Sequence, residues 1–401
     1  MLWHDRILVN DTAKPVRVAL LTEIISPYRI PLLNDLSSDQ RVELEVIFFS
    51  ETEERRKWRI PWEKIRFHNR VLPGLLIARR YQGGPVFFNP GIVTALWSGK
   101  YQAVICFGYH HPTIWLALIW CWFSRARALL WSESTHRDAR SYNVFVDWLK
   151  RRLLRRFDGF VAAGKSQAAY LGDLGAPSEK IWVAPDAVDS DFFTSESNIY
   201  HGRKHETKRS LGVEGCVILY VGRLLDAKGI PELLDAFEQV VFQQHATLFL
   251  VGDGPDRDRY QQSCRERQLK SVRFEGFCPQ EDLPRYYGIA DVFVFPTRSD
   301  PWGLVLNEAM CAGLPVICST AAGAAADLVK PGRNGLLHDP GDVETIVEHL
   351  LKLLGNGGLR RRMGISSRKI ILGFSPRKMA QGFAEAVLDL PNKAYTGFEA
   401  H

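Results

Sequence analysis

Cys216–Gly222 reads CVILYVG and Ala246–Gly252 reads ATLFLVG, two short apolar runs that each end in a glycine. Ile230–Phe242, between them, has apolar residues at helical spacing. A strand buried on both faces reads as a continuous apolar run, so this is strand, helix, strand. The series continues with Val272–Phe274, Asp291–Phe295 (DVFVF) and Pro315–Ser319 (PVICS). Helical patterns intervene at Asp256–Arg267 and follow at Val343–Leu354. Upstream, a first series runs Val16–Leu21, Val42–Phe49, Ala103–Phe107, Ala128–Ser132 and Gly159–Ala163, with helices expected at Ile30–Leu36 and Tyr142–Arg156. Alternation of this kind makes parallel sheets covered by helices on both faces.

Ser195–Arg209 (SESNIYHGRKHETKR) is polar, lacks apolar periodicity and reads as a linker. The expected architecture is therefore α/β, with two doubly wound Rossmann-like domains facing across a cleft. Residues 1–195 form the first domain, 196–209 the linker and 210–375 the second. Residues 376–401 hold a last helix, Arg377–Leu388, expected to pack back on the first domain. Ligands of such sheets bind beyond the carboxyl ends of the strands.

Apolar types make up 46% and charged types 24% of the 401 residues, which excludes a disordered or fibrous chain. The net charge of +6 is too small to argue for nucleic acid. Residues 51–156 nevertheless hold 19 Lys and Arg against 7 Asp and Glu. Seven cysteines without a CxxC read as free thiols in a reducing compartment, and no His/Cys/Asp cluster has metal spacing. Met1–Lys14 has no apolar leader core, and the most apolar stretch, Pro112–Phe123, is shorter than a membrane span of about 20 residues. The expected place is cytoplasmic, with a peripheral position on the inner face of a membrane: HPTIWLALIWCWF (His111–Phe123) and FVDWLKRRLLRRF (Phe145–Phe157) set apolar stripes beside basic residues, suited to an anionic surface.

The richest chemistry lies in DPWGLVLNEAMCAGLPVICS (Asp300–Ser319). A glycine loop opens a short helix, Leu304–Ala312. Gly303 lets the backbone approach a ligand, and the amides near Leu304 and Val305 are unpaired donors suited to a diphosphate. Glu308 can accept from ribose hydroxyls, and Asp300 can reach a sugar ring. VGRLLDAKG (Val221–Gly229) places Arg223 and Lys228 beyond a strand end, a fork and a point charge able to clamp one pyrophosphate.

With VGDGP (Val251–Pro255), EGFCP (Glu275–Pro279), YYGIADVFVFPTRSDPWGLVLNEAMCAGLPVICS (Tyr286–Ser319) and GRNGLL (Gly332–Leu337), these segments resemble the retaining family-4 glycosyltransferases of the GT-B fold. The resemblance covers most of residues 215–375. It implies a nucleotide-diphosphate sugar as donor, no metal or other cofactor, and transfer with retention to a hydroxyl of a saccharide or lipid-linked acceptor (an EC 2.4 activity). It also implies that Arg223, Lys228, Gly303, Leu304 and Val305 hold the diphosphate, Glu308 and Phe277 the ribose and base, and Asp300 the donor sugar. The family usually has Glu where this chain has Asp300. Cell-surface polysaccharide or glycoconjugate synthesis follows by analogy.

The first half offers acceptor-side candidates. ISPYRIPLL (Ile24–Leu32) presents Tyr28 and Arg29, either toward the cleft or as a helix start. In LLWSESTHRD (Leu129–Asp138), Glu133 by resemblance faces the sugar–acceptor junction, and His136 is the other candidate to take the acceptor proton. His110 and His111 of GYHHPT (Gly108–Thr113) sit at another strand end, and Lys165 of AAGKSQ adds charge near the phosphates. Rival readings are a non-catalytic nucleotide-sugar-binding protein, or another enzyme of this architecture such as a sugar phosphorylase or epimerase.

Overall fold

The computed structural model describes residues 14–53, 58–79, 85–138 and 144–391. The leader reading of Met1–Lys14 and the first residues of the helix expected from Tyr142 fall largely outside them. The strands of the first half are β1 (Val16–Thr22), β2 (Val42–Phe48), β3 (His68–Val71), β4 (Leu75–Arg79), β5 (Pro85–Phe88), β6 (Ala103–Phe107), β7 (Arg127–Ser132), β8 (Gly159–Ala162) and β9 (Ile181–Val183). Seven of them form a sheet in the order β3-β2-β1-β6-β7-β8-β9, and β4 pairs with β5 as an antiparallel hairpin. The second half contributes β10 (Cys216–Val221), β11 (Ala246–Val251), β12 (Val272–Gly276), β13 (Val292–Phe295), β14 (Val316–Ser319) and β15 (Gly335–His338). Their order is β12-β11-β10-β13-β14-β15, the doubly wound order in which the chain starts centrally, moves to one edge, then returns to build the other. All registered pairs of this sheet are parallel. Leu219, Phe249, Phe293 and Ile317 on its strands are fully buried.

Packing divides the chain into two units. The first holds residues 1–131, 155–161 and 380–401, and the second holds 132–154 and 162–379. These limits depart from the expected 1–195, 210–375 and 376–401. The loop after β7 and everything from Ala162 to Met379 pack with the second unit. Most of the last helix, Pro376–Asp389, packs with the first, where the Phe383 ring meets Trp131 edge-on at 4.9 Å. The buried Arg127 guanidinium donates to the carbonyls of Val387 (2.8 Å) and Leu390 (2.7 Å) there. Those carbonyls belong to a helix end, where no intrahelical partner exists.

The linker expected at 196–209 is helical instead. Ser190–Gly202 and Lys204–Ser210 are two helices. Asp189 caps the first by accepting from the Phe192 amide at 3.0 Å, and Phe193 is fully buried in the second unit's core. Lys204 and Lys208, one turn apart, both pair with Asp291, at 2.7 and 2.8 Å. Charge pairing and one aromatic anchor hold this segment, so its apolar periodicity is weak. Helix Pro112–Ser124 buries Ile114, Ala117, Leu118 and Cys121 and leaves Trp115, Ile119, Trp122 and Phe123 exposed along one stripe. No helix among the described residues is long and apolar enough to cross a membrane.

Candidate functional site

In the second sheet the strand order reverses between β10 and β13, which pair with each other. The loops leaving these two strands must diverge there, and the gap between them is where α/β sheets receive ligands. The loop after β10 carries Arg223 and Lys228, and the loop after β13 carries Asp300 and Gly303. The two are stitched together. Gly229 is left-handed, and a Cβ there would lie 2.0 Å from the Pro296 carbonyl oxygen. The Ala227 carbonyl accepts from the Arg298 amide (3.0 Å) and from Thr297 Oγ1 (3.2 Å).

Lys228 Nζ donates to the Ser299 carbonyl at 3.1 Å and meets Asp300 Oδ2 at 2.6 Å, in a largely enclosed ion pair. Two groups expected to hold different parts of a donor are therefore partners of each other. Asp300 Oδ1 also accepts from the Trp302 amide at 3.1 Å. Arg223 is exposed, and its guanidinium has no hydrogen bond or ion pair with a described residue. Its own carbonyl accepts from Tyr220 Oη at 2.9 Å, which fixes the loop backbone.

Gly303 (φ +96°) precedes helix Leu304–Cys311, and a Cβ on it would strike the Phe295 ring at 2.5 Å. Only glycine fits that turn. The Leu304 and Val305 amides lead the helix and by position have no intrahelical acceptor. Glu308, expected as an open ribose acceptor, is buried, and its Oε2 accepts from Tyr287 Oη at 2.6 Å. Burial pushes its carboxyl up to about 7 against the opposing effect of the Tyr287 hydrogen bond. Phe277, just after β12, is half exposed.

Parts that sequence reasoning missed hold this site in place. Trp302 Nε1 donates to Asn307 Oδ1, and Asn307 Nδ2 donates to the Asp186 carbonyl, both at 2.9 Å. Asp327 Oδ2 accepts from the Lys165 amide at 2.9 Å, while the Lys165 side chain is exposed. Ser299 Oγ donates to the Arg137 carbonyl at 3.3 Å, which brings the turn His136–Asp138 beside the Asp300 loop. Glu133, just before that turn, is half-buried. His136 turns onto Asp173 (2.8 Å) and the edge of Tyr170, both in the same unit.

The remaining candidates lie in the first unit. Arg29, expected on a ligand face, is buried, with its guanidinium 3.9 Å from the Phe107 ring centroid and 4.6 Å from that of Trp131. Pro27–Arg29 forms a single turn that leads into helix Ile30–Ser37, so the helix-start reading holds, and Tyr28 packs on Trp58. His110 and His111 bring in a residue the sequence reading did not single out. Both Nε2 atoms contact Glu23 Oε1, at 3.0 and 2.9 Å. Burial opposes ionisation of Glu23, but the hydrogen bonds from the two rings prevail and hold the carboxyl well below the usual range.

Glu23, His110 and His111 are close enough together to suggest metal ligands. The tautomer of His111 argues otherwise. Its Nδ1 accepts from the Phe87 amide at 3.1 Å, so the ring proton sits on Nε2. A metal on Nε2 would move that proton to Nδ1, against another N–H.

Residues 203–370 match the family model described as glycosyl transferases group 1. The chain is 31% identical to an uncharacterized glycosyltransferase of Methanocaldococcus jannaschii, over 49% of this chain and 50% of that protein. It is 27% identical to the lipopolysaccharide core biosynthesis glycosyltransferase LpsE of Rhizobium meliloti, over 68% of this chain and 76% of that one. The chain spans about half the length of the curated relatives it matches at 31% identity. Among solved structures, Anabaena HepE in complex with UDP superposes with a TM-score of 0.75 at 19% identity, covering 94% of this chain and all (100%) of that one. HepE has also been solved with UDP-glucose. The fold of the chain is accordingly the GT-B type, with two Rossmann-like units.

Proposed function

We propose that this chain is a retaining, metal-independent glycosyltransferase. It takes a sugar from a nucleotide-diphosphate sugar bound in the second unit and passes it to a hydroxyl of a saccharide or lipid-linked acceptor. The observation that carries this reading is the meeting of Arg223, the Lys228–Asp300 pair and the helix start after Gly303 at one reversal of strand order. Arg223 has a free fork for phosphate oxygens. An arriving diphosphate draws Lys228 from Asp300 and releases that carboxylate to accept from a sugar hydroxyl. The Leu304 and Val305 amides add fixed positive dipole. Charge grows on the diphosphate as the C1–O bond breaks, so these groups act most strongly in the transition state. The acceptor oxygen attacks C1 from the face the diphosphate leaves, and the leaving phosphate oxygen takes the acceptor proton. Glu133, on the loop joined to Ser299, orients the reacting sugar.

HepE supplies the first donor to try, UDP-glucose. Bound at a hundred times its Kd, a donor adds about 2.7 kcal/mol of apparent stability, which a melting shift reports. Arg223→Ala and Lys228→Ala are each expected to lower kcat by about 100- to 1000-fold in a protein that still folds. Normal turnover in both variants would remove the donor assignment. Retention is read by NMR from the anomeric configuration of the product. Nucleotide release measured with and without acceptor separates transfer from a non-catalytic binder, a phosphorylase or an epimerase. The exposed stripe Trp115, Ile119, Trp122 and Phe123 supports a peripheral place on an anionic membrane in the cytoplasm, and with it a lipid-linked acceptor. Cell-surface polysaccharide or glycoconjugate assembly is the role that fits.

A further inference from the structure

The strands of the second sheet also have starting ends, opposite the loops of the donor reading. Cys216 and Ala246 open β10 and β11, Ser271 and Asp291 immediately precede β12 and β13, and all four line a cavity of about 1110 Å³. Strands β10 and β11 are six residues long, so this edge lies about 20 Å from the loop that carries Arg223 and Lys228. Lys204, Lys208, Arg209, Lys270, Arg273 and Arg360 line the cavity, six cations against the two carboxylates of Glu214 and Asp291. Helices between parallel strands end at such an edge, and their last carbonyls attract cations. Arg360 serves in this way, donating to the Leu353 (2.6 Å) and Leu354 (2.7 Å) carbonyls at the end of helix Val343–Leu354. Arg273 donates to the Gly212 carbonyl at 3.1 Å. Lys204 and Lys208 each donate to Asp291 and to one carbonyl, that of Ala290 (2.7 Å) or Gly215 (2.9 Å), so each ammonium keeps one of its three N–H groups. Asp291 also accepts from the Val217 amide at 2.8 Å, which leaves it little negative charge to offer the cavity. Arg209 and Lys270 are exposed, and neither side chain has a hydrogen bond or ion pair with a described residue. Burial lowers the Lys204 ammonium against the pull of Asp291, and the charges of Lys208 and Arg360 lower it further. The cavity thus holds more positive charge than the fold consumes.

We propose that this cavity binds a phosphate-rich anion with two or more phosphoryl groups, at a site separate from the donor site and independent of the glycosyltransferase reading. The Arg209 guanidinium offers a planar fork to phosphate oxygens, and Lys270, Lys204 and Lys208 add point charges. Two of these four are held in place by Asp291, so part of the site is ordered before a ligand arrives. A single phosphate would leave most of the volume and most of the charge unmet. No lining residue is Phe, Tyr or Trp, so a nucleobase has no aromatic face to stack on, and recognition falls on the phosphates. Groups of this chemistry occur free in solution and on lipid headgroups.

The test uses the full-length chain carrying Arg223→Ala, which weakens the donor clamp, titrated with sodium tripolyphosphate by calorimetry. Saturable binding is expected. Adding Arg209→Gln and Lys270→Gln should raise the Kd about tenfold, the loss of roughly one charged hydrogen bond. These two side chains have no partner to lose, so the variant should melt like wild type. Arg265→Gln with Lys369→Gln removes the same charge from exposed positions that do not line the cavity, and should leave the Kd nearly unchanged. No binding to Arg223→Ala, or an equal Kd in the cavity and control variants, overturns the proposal. Flotation with phosphatidylcholine vesicles containing phosphatidylinositol bisphosphate then separates the sources. Flotation weakened only in the cavity variant supports the site and assigns it to a lipid headgroup. Unchanged flotation beside weakened tripolyphosphate binding supports it as a site for a free anion. The melting shift with a nucleotide sugar should persist in Arg209→Gln, Lys270→Gln, and its absence from the wild type would count against the donor reading alone.

Discussion

Glu308 shows how a single residue can look simple in the sequence and differ in the fold. One turn into a short helix, it reads as a carboxylate open to ribose hydroxyls, but the structure buries it against Tyr287. With its carboxyl raised from 4.5 to about 7, the folded state binds a proton that the unfolded chain has released between those values. Its contribution to stability is therefore full below about pH 4.5 and is lost as pH rises through about 7. The melting temperature of the wild type relative to Glu308→Gln is expected to fall across that window, and a flat difference would show an ordinary carboxylate. That Arg223, Lys228 and Gly303 gather on the loops after β10 and β13 was legible because each stands at a fixed offset from a strand end. Glu23 was not. Its partners lie 87 and 88 residues away, and only knowledge that β1 and β6 are neighbours brings them together.

Among the elements, buried parallel strands were the easiest to read, since β10, β11 and β13 are apolar throughout. Strand β3 is exposed at His68 and Asn69, and β9 has three residues, so neither gives a period to detect. The helix Lys204–Ser210 was hidden for a related reason, because Asp291 holds it by charge. Burial of Asp291 works against its ionisation, but Lys204 and Lys208 overcome this and lower its carboxyl. The stability it provides is present above the usual aspartate range and lost as pH falls through it. Asp291→Asn leaves two largely enclosed lysines unmatched and is expected to cost about 3 kcal/mol by urea denaturation near neutral pH. The difference from wild type should shrink in acid, and equal midpoints near neutral pH would mean the pair is incidental.

At the scale of the whole molecule, apolar and basic surface coexist. Trp122 and Phe123 are about 70% exposed (70% and 69%), and the segment 51–156 holds 19 Lys and Arg against 7 Asp and Glu. Binding to vesicles containing phosphatidylglycerol is expected at low salt, weakening several-fold near 0.5 M as screening shortens the reach of charge. Trp122→Ser with Phe123→Ser should weaken it further, and no flotation at low salt would dispose of the membrane reading. The last helix makes its own test. A chain ending at Ser375 loses Phe383 from beside Trp131 and leaves Arg127 without the Val387 and Leu390 carbonyls. Loss of a core aromatic alone costs about 3–5 kcal/mol, so the first unit of that chain should fail to unfold cooperatively on heating.

The same helix sets a schedule for synthesis. Domains commonly fold in the order in which they leave the ribosome, at about 5–20 residues per second. Here the unit translated first needs residues 380–391, which are among the last described in the chain, to close its interior. The second unit, internal to the chain, can finish earlier. Until residues 380–391 emerge, Trp131 and Arg127 wait without their partners.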